Sequence, residues 1–282
     1  MGNFDYLRPQ TLSELNGILN KNHKNAYLYA GGTDLLVKIR HQTISPDLII
    51  DLKGVREFQG IKKDKVSITI GSAVTLSEVA ESKLLQEHYP SLCEACLNVG
   101  STQIRNRGTL AGNLCNASPA ADTVPPLLIF DAKVNLVTPK GKRTVSIHEF
   151  TTGVGKTILA KNEVLASISL PYPGEKRTVF LKNSRRKALD LSTVCLAAGI
   201  FTRSKKKEIR VAVGACAPIT QRARKAEDYL NHNAITSETI DQASHLLPLK
   251  PISDLRGSAV HRDRIARVLF RKALAGLSEV KK

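Results

Sequence analysis

The sequence predicts an α+β protein in two parts, and three observations carry that reading. Up to about residue 171, short strand-like runs are interleaved with capped helical segments. Beyond it, three strand-like runs come first and three helical patterns follow. The 42% hydrophobic and 24% charged fractions are those of a globular chain with enough apolar surface to offset its ordering entropy. A length of 282 residues suits about two domains, and Pro171-Tyr172-Pro173-Gly174 reads as the junction between residues 1–171 and 172–282.

Each element follows from local chemistry. Thr11-Leu12-Ser13-Glu14 has the capping-box spacing and opens a helix to about Asn20. Residues 26–30 form a short apolar strand that runs into Gly31-Gly32-Thr33-Asp34, after which residues 35–41 read as helix. Residues 48–52 are a strand, and residues 66–70 alternate and stop at Gly71. Thr75-Leu76-Ser77-Glu78 repeats the capping box, and residues 91–99 are helical. Residues 132–147 read as a hairpin turning at Pro139-Lys140-Gly141-Lys142, and residues 164–170 as a strand closed by Pro171. The C-terminal part has strands near 178–181, 191–201 and 208–215, then helices near 219–230, 237–247 and 258–277. No internal repeat or low-complexity segment is present.

Charge is unevenly spread. The 42 basic and 25 acidic residues give a formal +17. Residues 1–170 hold 19 basic and 15 acidic side chains, whereas residues 171–282 hold 23 and 10. A nucleic-acid binder has such a footprint. Here, however, aromatics make up 5% with no Trp, and neither a zinc finger nor a recognition-helix pattern is visible, so no nucleic acid is expected. The excess reads instead as a solvated face or a surface for an acidic partner. No apolar run reaches the roughly 18–20 residues of a membrane span. Residues 1–10 lack a basic region followed by an apolar core, so no signal peptide is expected. Five irregularly spaced cysteines do not make a disulfide framework, and the expected setting is a reduced, cytoplasmic one.

Two segments can carry chemistry. In Tyr27-Leu28-Tyr29-Ala30-Gly31-Gly32-Thr33-Asp34, paired glycines after a strand let backbone approach a ligand closely. Successive amides there make an anion-binding concavity, and a following helix adds positive potential, which suits a pyrophosphate. A plain turn with Asp34 capping a helix explains the same four residues. The second segment, residues 100–122, is polar, glycine-rich and without periodicity, as in a functional loop. Its Asn, Gln, Ser and Thr side chains are neutral hydrogen-bonding groups suited to a sugar chain and an amide-rich ring. Other motifs are incomplete. Gly153-Val154-Gly155-Lys156-Thr157 has Phe150 where a phosphate-binding P-loop needs its first Gly. Cys93 and Cys96 lack a second ligand pair for zinc and read as small core residues. His148 and His261 read as structural. There is no Rossmann GxGxxG and no cluster-type run of cysteines.

Taken in order, the blocks resemble the FAD-binding subunits of the molybdenum-containing hydroxylases, the xanthine dehydrogenase and carbon monoxide dehydrogenase group. The resemblance covers nearly the whole chain. It is carried by AGGTDLL at 30–36, IGSAVTLSEV at 70–79, QIRNRGTLAGN at 103–113 and NASPAAD at 116–122. FLKNSRRKALDLSTV at 180–194 and PISDLRGSAVHR at 251–262 follow in family order. The chain resembles in particular the bacterial three-subunit xanthine dehydrogenase type, partly through the TGVGK turn. Two positions depart: the family's Gly-Gly-Asn reads Ala111-Gly112-Asn113, and its frequent Tyr is His261.

The resemblance implies a two-subdomain FAD-binding fold of the vanillyl-alcohol-oxidase/p-cresol-methylhydroxylase type over residues 1–171, with subdomains of about 1–54 and 55–171. Residues 172–282 would be a CO dehydrogenase flavoprotein C-terminal domain with a three-stranded antiparallel sheet and helices. Tyr27, Leu28, Tyr29, Ala30, Gly31, Gly32, Thr33 and Asp34 would wrap the FAD pyrophosphate. Gly108, Thr109, Leu110, Ala111 and Gly112 would follow the ribityl and pyrophosphate region, supported by Asn113 and Asp122. Val99 belongs to the same set, and Val164 or Leu165 would touch the flavin by backbone or side chain. Lys182 would lie near the ring, where a cation stabilises anionic reduced flavin. Without the resemblance, Lys182 reads as a surface lysine beside Arg185 and Arg186. No catalytic acid, base or metal ligand is implied on this chain. Molybdopterin and [2Fe-2S] clusters would sit on partner subunits, with electrons passing through FAD to NAD+. A carbon monoxide, nicotinate or other aromatic-substrate system is the alternative, and a quinone or oxygen is the alternative acceptor. The basic C-terminal part would then serve for docking.

Overall fold

Leu15 and Leu19 lie one helical turn apart and pack onto Leu48 and Ile50, and that contact organises the N-terminal layer. The computed structural model describes residues 3–21, 23–186, 189–203 and 206–279. The layer comprises β1 (Asp5–Leu7), α1 (Leu12–Asn20), β2 (Ala26–Tyr29), α2 (Leu35–Arg40) and β3 (Leu48–Asp51). Its strands are parallel in the order β1-β3-β2, and all four residues of central β3 are buried. Thr11 caps α1 by accepting the Glu14 amide at 3.2 Å. The Glu14 carboxylate accepts from Gln10 N–H rather than from Thr11, so the expected box is shifted by one residue.

The second layer holds β4 (Ile61–Lys63), β5 (Ser67–Gly71) and six helices: α3 (Leu76–Glu81), α4 (Lys83–His88), α5 (Pro90–Leu97), α6 (Thr102–Arg105), α7 (Leu110–Cys115) and α8 (Val124–Ile129). β6 (Lys133–Thr138), β7 (Gly141–Ser146), α9 (Ile147–Phe150), β8 (Thr151–Gly153), β9 (Lys156–Thr157) and β10 (Val164–Pro171) follow. The five-stranded sheet is antiparallel in the order β4-β5-β10-β6-β7. Thr75 and Glu78 form the complete capping box that their spacing predicts. The hairpin of residues 132–147 forms as β6 and β7.

Residues 100–122 are not an extended loop. Ser101 accepts the Ile104 amide at 3.2 Å and Thr109 accepts the Gly112 amide at 2.9 Å, so two capped turns of helix form there. They are too short for a helical period to show in the sequence. Residues 151–157 form a small hairpin whose Gly155 has φ +66°, with no helix beginning at Lys156.

The third layer is β11 (Glu175–Asn183), β12 (Val194–Arg203), β13 (Lys206–Gly214) and β14 (Gln221–Arg222), covered by α10 (Arg224–His232), α11 (Ser237–Ser244) and α12 (Ala259–Glu279). It is an antiparallel sheet of four strands rather than the expected three. Gln221 and Arg222 pair with Val213 and Ala212 where helix is expected, and α10 begins only at Arg224. Both faces of the sheet are buried. Along β12, Val194, Leu196, Ala198 and Ile200 share a core with Phe270 and Leu274 of α12. The intervening Cys195 and Ala197 face a core that contains Leu128 and Phe130, at the end of α8. The C-terminal sheet is thus packed between its own helices and those of the second layer. No helix among the described residues is long and apolar enough to cross a membrane.

Candidate functional site

The site begins where β2 ends. A Cβ at Gly31 would lie 2.2 Å from the Arg107 carbonyl oxygen and 2.6 Å from Gly108 Cα, so the Gly31 and Gly108 loops touch backbone to backbone. Gly32 has φ +75°, and a Cβ there would lie 2.2 Å from a ring carbon of Tyr29. Among the described residues, the Gly31, Gly32 and Thr33 amides donate to no backbone carbonyl. They remain available to an anionic ligand.

These loops border a cleft of about 360 Å³. The structure brings most of the expected set to its walls: Tyr27, Leu28, Ala30, Gly31, Gly32, Thr33 and Asp34 from the first loop, and Gly108, Thr109, Ala111, Gly112 and Asn113 from the second. Val99, Val164 and Leu165 complete the apolar side. Ala111 is 4% exposed, and its methyl packs into the second-layer core as α7 enters that core.

Four expected residues do not line the cleft. Leu110 is fully buried in the core. Tyr29 stacks under the Lys53 ammonium, 3.7 Å from its ring centre, and supports Gly32 from behind. Asp122 and Lys182 form an ion pair at 2.7 Å, with side chains 5% and 10% exposed. Lys182 is therefore not a surface lysine. Its ammonium also donates to the Asn98 carbonyl at 2.8 Å, and Ser192 donates to Asp122. The pair fastens β11 to the second layer.

Burial pushes the Asp122 carboxyl above the usual carboxylate range, and Lys182 only partly offsets this. A raised folded-state pKa means that stability is lost as pH rises through it. Lys182→Met should therefore cost about 2 kcal/mol at pH 8 by leaving a buried carboxylate underpaired. The deficit should shrink toward pH 5 as the carboxyl takes up a proton. Urea unfolding at the two pH values measures this, and a deficit independent of pH would contradict it.

Sequence reasoning missed other wall residues. Asp34 does not cap α2; its carboxylate accepts from Asn116 Nδ2 at 3.1 Å, and Asn116 Oδ1 accepts from Lys38 at 3.2 Å. Asn116 lies in the NASPAAD block and could have been found there, whereas nothing in the sequence marks Lys38. Leu52, Ser72, Leu76, Ile104, Cys115 and Leu159 also line the cleft. The Cys115 thiol is pushed up to about 12 by burial, so it stays protonated and is no nucleophile. Asn113 is held by Thr123, which donates to its Oδ1 at 2.7 Å.

A cleft of free amides, mostly neutral polar side chains and aliphatic walls, with Asp34 and Lys38 each bonded to Asn116, can grip a phosphate-linked chain and a flat ring. No paired acid and base stands among these wall residues. Such a protein is a carrier of a nucleotide cofactor, and the cofactor performs the chemistry. Comparison with known proteins makes this specific. Residues 2–173 match the family described as the FAD binding domain in molybdopterin dehydrogenase, and residues 179–277 the CO dehydrogenase flavoprotein C-terminal domain. The xanthine dehydrogenase FAD-binding subunit of Escherichia coli O157:H7 is 34% identical over 277 residues, covering 96% of this chain and 94% of the relative. The carbon monoxide dehydrogenase medium chain of Hydrogenophaga pseudoflava is 28% identical, covering 96% of each. A solved structure of carbon monoxide dehydrogenase from that organism, lacking the Mo-pyranopterin moiety, superposes with a TM-score of 0.93 at 28% identity, covering 98% of both chains. The chain belongs to the family of FAD-binding subunits of the molybdopterin dehydrogenases.

Proposed function

We propose that this protein is the FAD-carrying electron-transfer subunit of a xanthine- or purine-type molybdenum hydroxylase, acting in the cytoplasm. It would take electrons from [2Fe-2S] clusters on a partner subunit, with molybdopterin on another, and deliver them to NAD+. The observation that carries this reading is the cleft built on the Gly31–Gly108 contact, in a chain of this family. The site fits the cofactor: the glycine cradle has no room for side chains, and the Gly31, Gly32 and Thr33 amides at the cleft wall donate to no backbone carbonyl. When bound, FAD supplies two-electron exchange and hydride transfer.

Within this reading, residues 1–171 hold FAD between parts of about 1–54 and 55–171, and residues 172–282 close the site from the far side. Gly31 to Asp34 and Gly108 to Gly112 would surround the pyrophosphate and ribityl chain. Tyr29 would act from behind Gly32, and Leu110 by anchoring α7 in the core. Val99, Val164 and Leu165 would pack on a ring. Asp122 and Lys182 would act through the Asn98 carbonyl and the position of β11. The basic C-terminal part would steer docking to the partner subunits.

Whole-length likeness to a xanthine dehydrogenase subunit supports the purine reading. The likeness to carbon monoxide dehydrogenase supports a second one, with another small substrate oxidised on the partner. Purification from the native source tests the proposal. The chain is expected to co-purify with iron–sulfur and molybdenum subunits, to release FAD, and to reduce NAD+ with xanthine faster than quinone or oxygen. Isolation as a lone colourless polypeptide would overturn the assembly. Turnover with carbon monoxide but not with purines would select the second reading.

A further inference from the structure

Ser72 is among the residues that line the cleft, in company with Leu52, Leu76, Val164 and Leu165. Ser72 is 2% exposed, and its Oγ has no hydrogen-bond partner. Several other buried side-chain atoms lack partners among the described residues, but only Ser72 belongs to the cleft wall.

The backbone around Ser72 is fixed. A Cβ at Gly71 would lie 2.1 Å from the Phe58 carbonyl oxygen, so the end of β5 is pressed against that loop. The Ser72 amide donates to Ala166 at 3.0 Å, where β10 shifts register between Leu165 and Ser167. The next amide, Ala73, donates to Phe58 at 2.9 Å. Only the hydroxyl rotor is free.

Polar side chains of β10 and of the second loop already have partners. Ser167 and Ser169 of β10 accept from Asn135 at 3.0 and 2.8 Å, and Ser169 also bonds Thr69. Thr109 caps α7, Asn113 is held by Thr123, and Asn116 by Asp34 and Lys38. A buried hydroxyl without a partner is destabilising, and alanine would fit the same space at no such cost. An unmet hydroxyl on a cleft wall that also presents Leu52, Leu76, Val164 and Leu165 suits a flat ring that carries nitrogen or oxygen along its edge.

The geometry points to Ser72 as a ligand-contacting residue whose hydroxyl hydrogen-bonds the edge of a heteroaromatic ring of the bound cofactor. This rests on the cofactor reading above. FAD presents two such rings, the isoalloxazine and the adenine, and both offer the same hydrogen-bonding chemistry. Ser72→Ala in the full-length chain, titrated separately with FAD, FMN and ADP, tests the inference. The variant removes one oxygen, so its apo melting temperature should be unchanged or higher. Its Kd for FAD should rise about five-fold, the usual weight of one hydrogen bond. A parallel loss with ADP but not FMN places the bond on adenine, and a loss with FMN but not ADP places it on the flavin. Equal FAD affinities in variant and parent would overturn the role of Ser72 while leaving the cofactor reading intact. A parent chain that binds none of the three probes would overturn both.

Discussion

Gly31→Ala should bleach the purified chain and weaken FAD binding by about a hundredfold. The new methyl would meet the Arg107 carbonyl oxygen at 2.2 Å and Gly108 Cα at 2.6 Å, and both are backbone atoms that no rotamer change can move. The two loops must separate, and overpacking of this kind costs about 1–3 kcal/mol. At about 1.4 kcal/mol per tenfold, the upper end of that range spoils FAD binding if the separation falls on the ligand-facing amides. Gly17→Ala is the matched control. Its added methyl would meet nothing within 4 Å, and it sits inside α1, where Ala is the better helix former. It should leave colour unchanged and melting equal or higher. Absorbance of released FAD and equilibrium titration of both variants decide the matter. Gly31→Ala binding FAD like the parent would remove the two-loop cradle from the site.

The contrast between these glycines shows what the sequence reveals. Single-residue chemistry was legible: Gly31-Gly32 after a strand, Thr75 with Glu78, and the hairpin turn at Pro139-Lys140 all form where local rules place them. The α+β order and the expected cradle were legible for the same reason. What depends on partners distant in the chain was not. Asp122 and Lys182 are sixty positions apart, and no periodicity announces that they pair. Helix α8 has no sequence signal of its own, since it contains Pro125 and Pro126. They occupy its first turn, where a missing N–H costs nothing, and its burial all round erases any amphipathic pattern. Lys38 and Ser72 reach the cleft through tertiary placement alone. The two residues of β14 are too few to alternate.

That short strand carries the strongest expected effect on stability. Arg222 in β14 is bidentate to Glu227 of α10, at 2.5 and 2.7 Å, and both side chains are 2% exposed. Its third nitrogen reaches Asp131 at 3.3 Å. Arg210 also reaches Asp131 and donates to the Ile129 carbonyl at 3.0 Å, and His148 bonds the same carboxylate at 2.8 Å. Burial alone would raise the Asp131 carboxyl, but His148, Arg210 and Arg222 together hold it below the usual carboxylate range. The network joins the C-terminal sheet to the end of α8. Arg222→Met leaves the buried Glu227 carboxylate with the Val211 amide at 2.7 Å and only the exposed Arg224 guanidinium, at 3.8 Å, as its remaining cation. Removing one member of a buried pair costs about 3–5 kcal/mol, whereas replacing both members with apolar side chains is often neutral. Urea unfolding should show that loss for Arg222→Met. Arg222→Met combined with Glu227→Leu should recover most of it, because the double variant leaves no buried charge of this pair unmatched. If the double variant proves no more stable than the single one, the loss comes from broken packing at β14. The ion pair would then be a consequence of how the layers dock and not what holds them together.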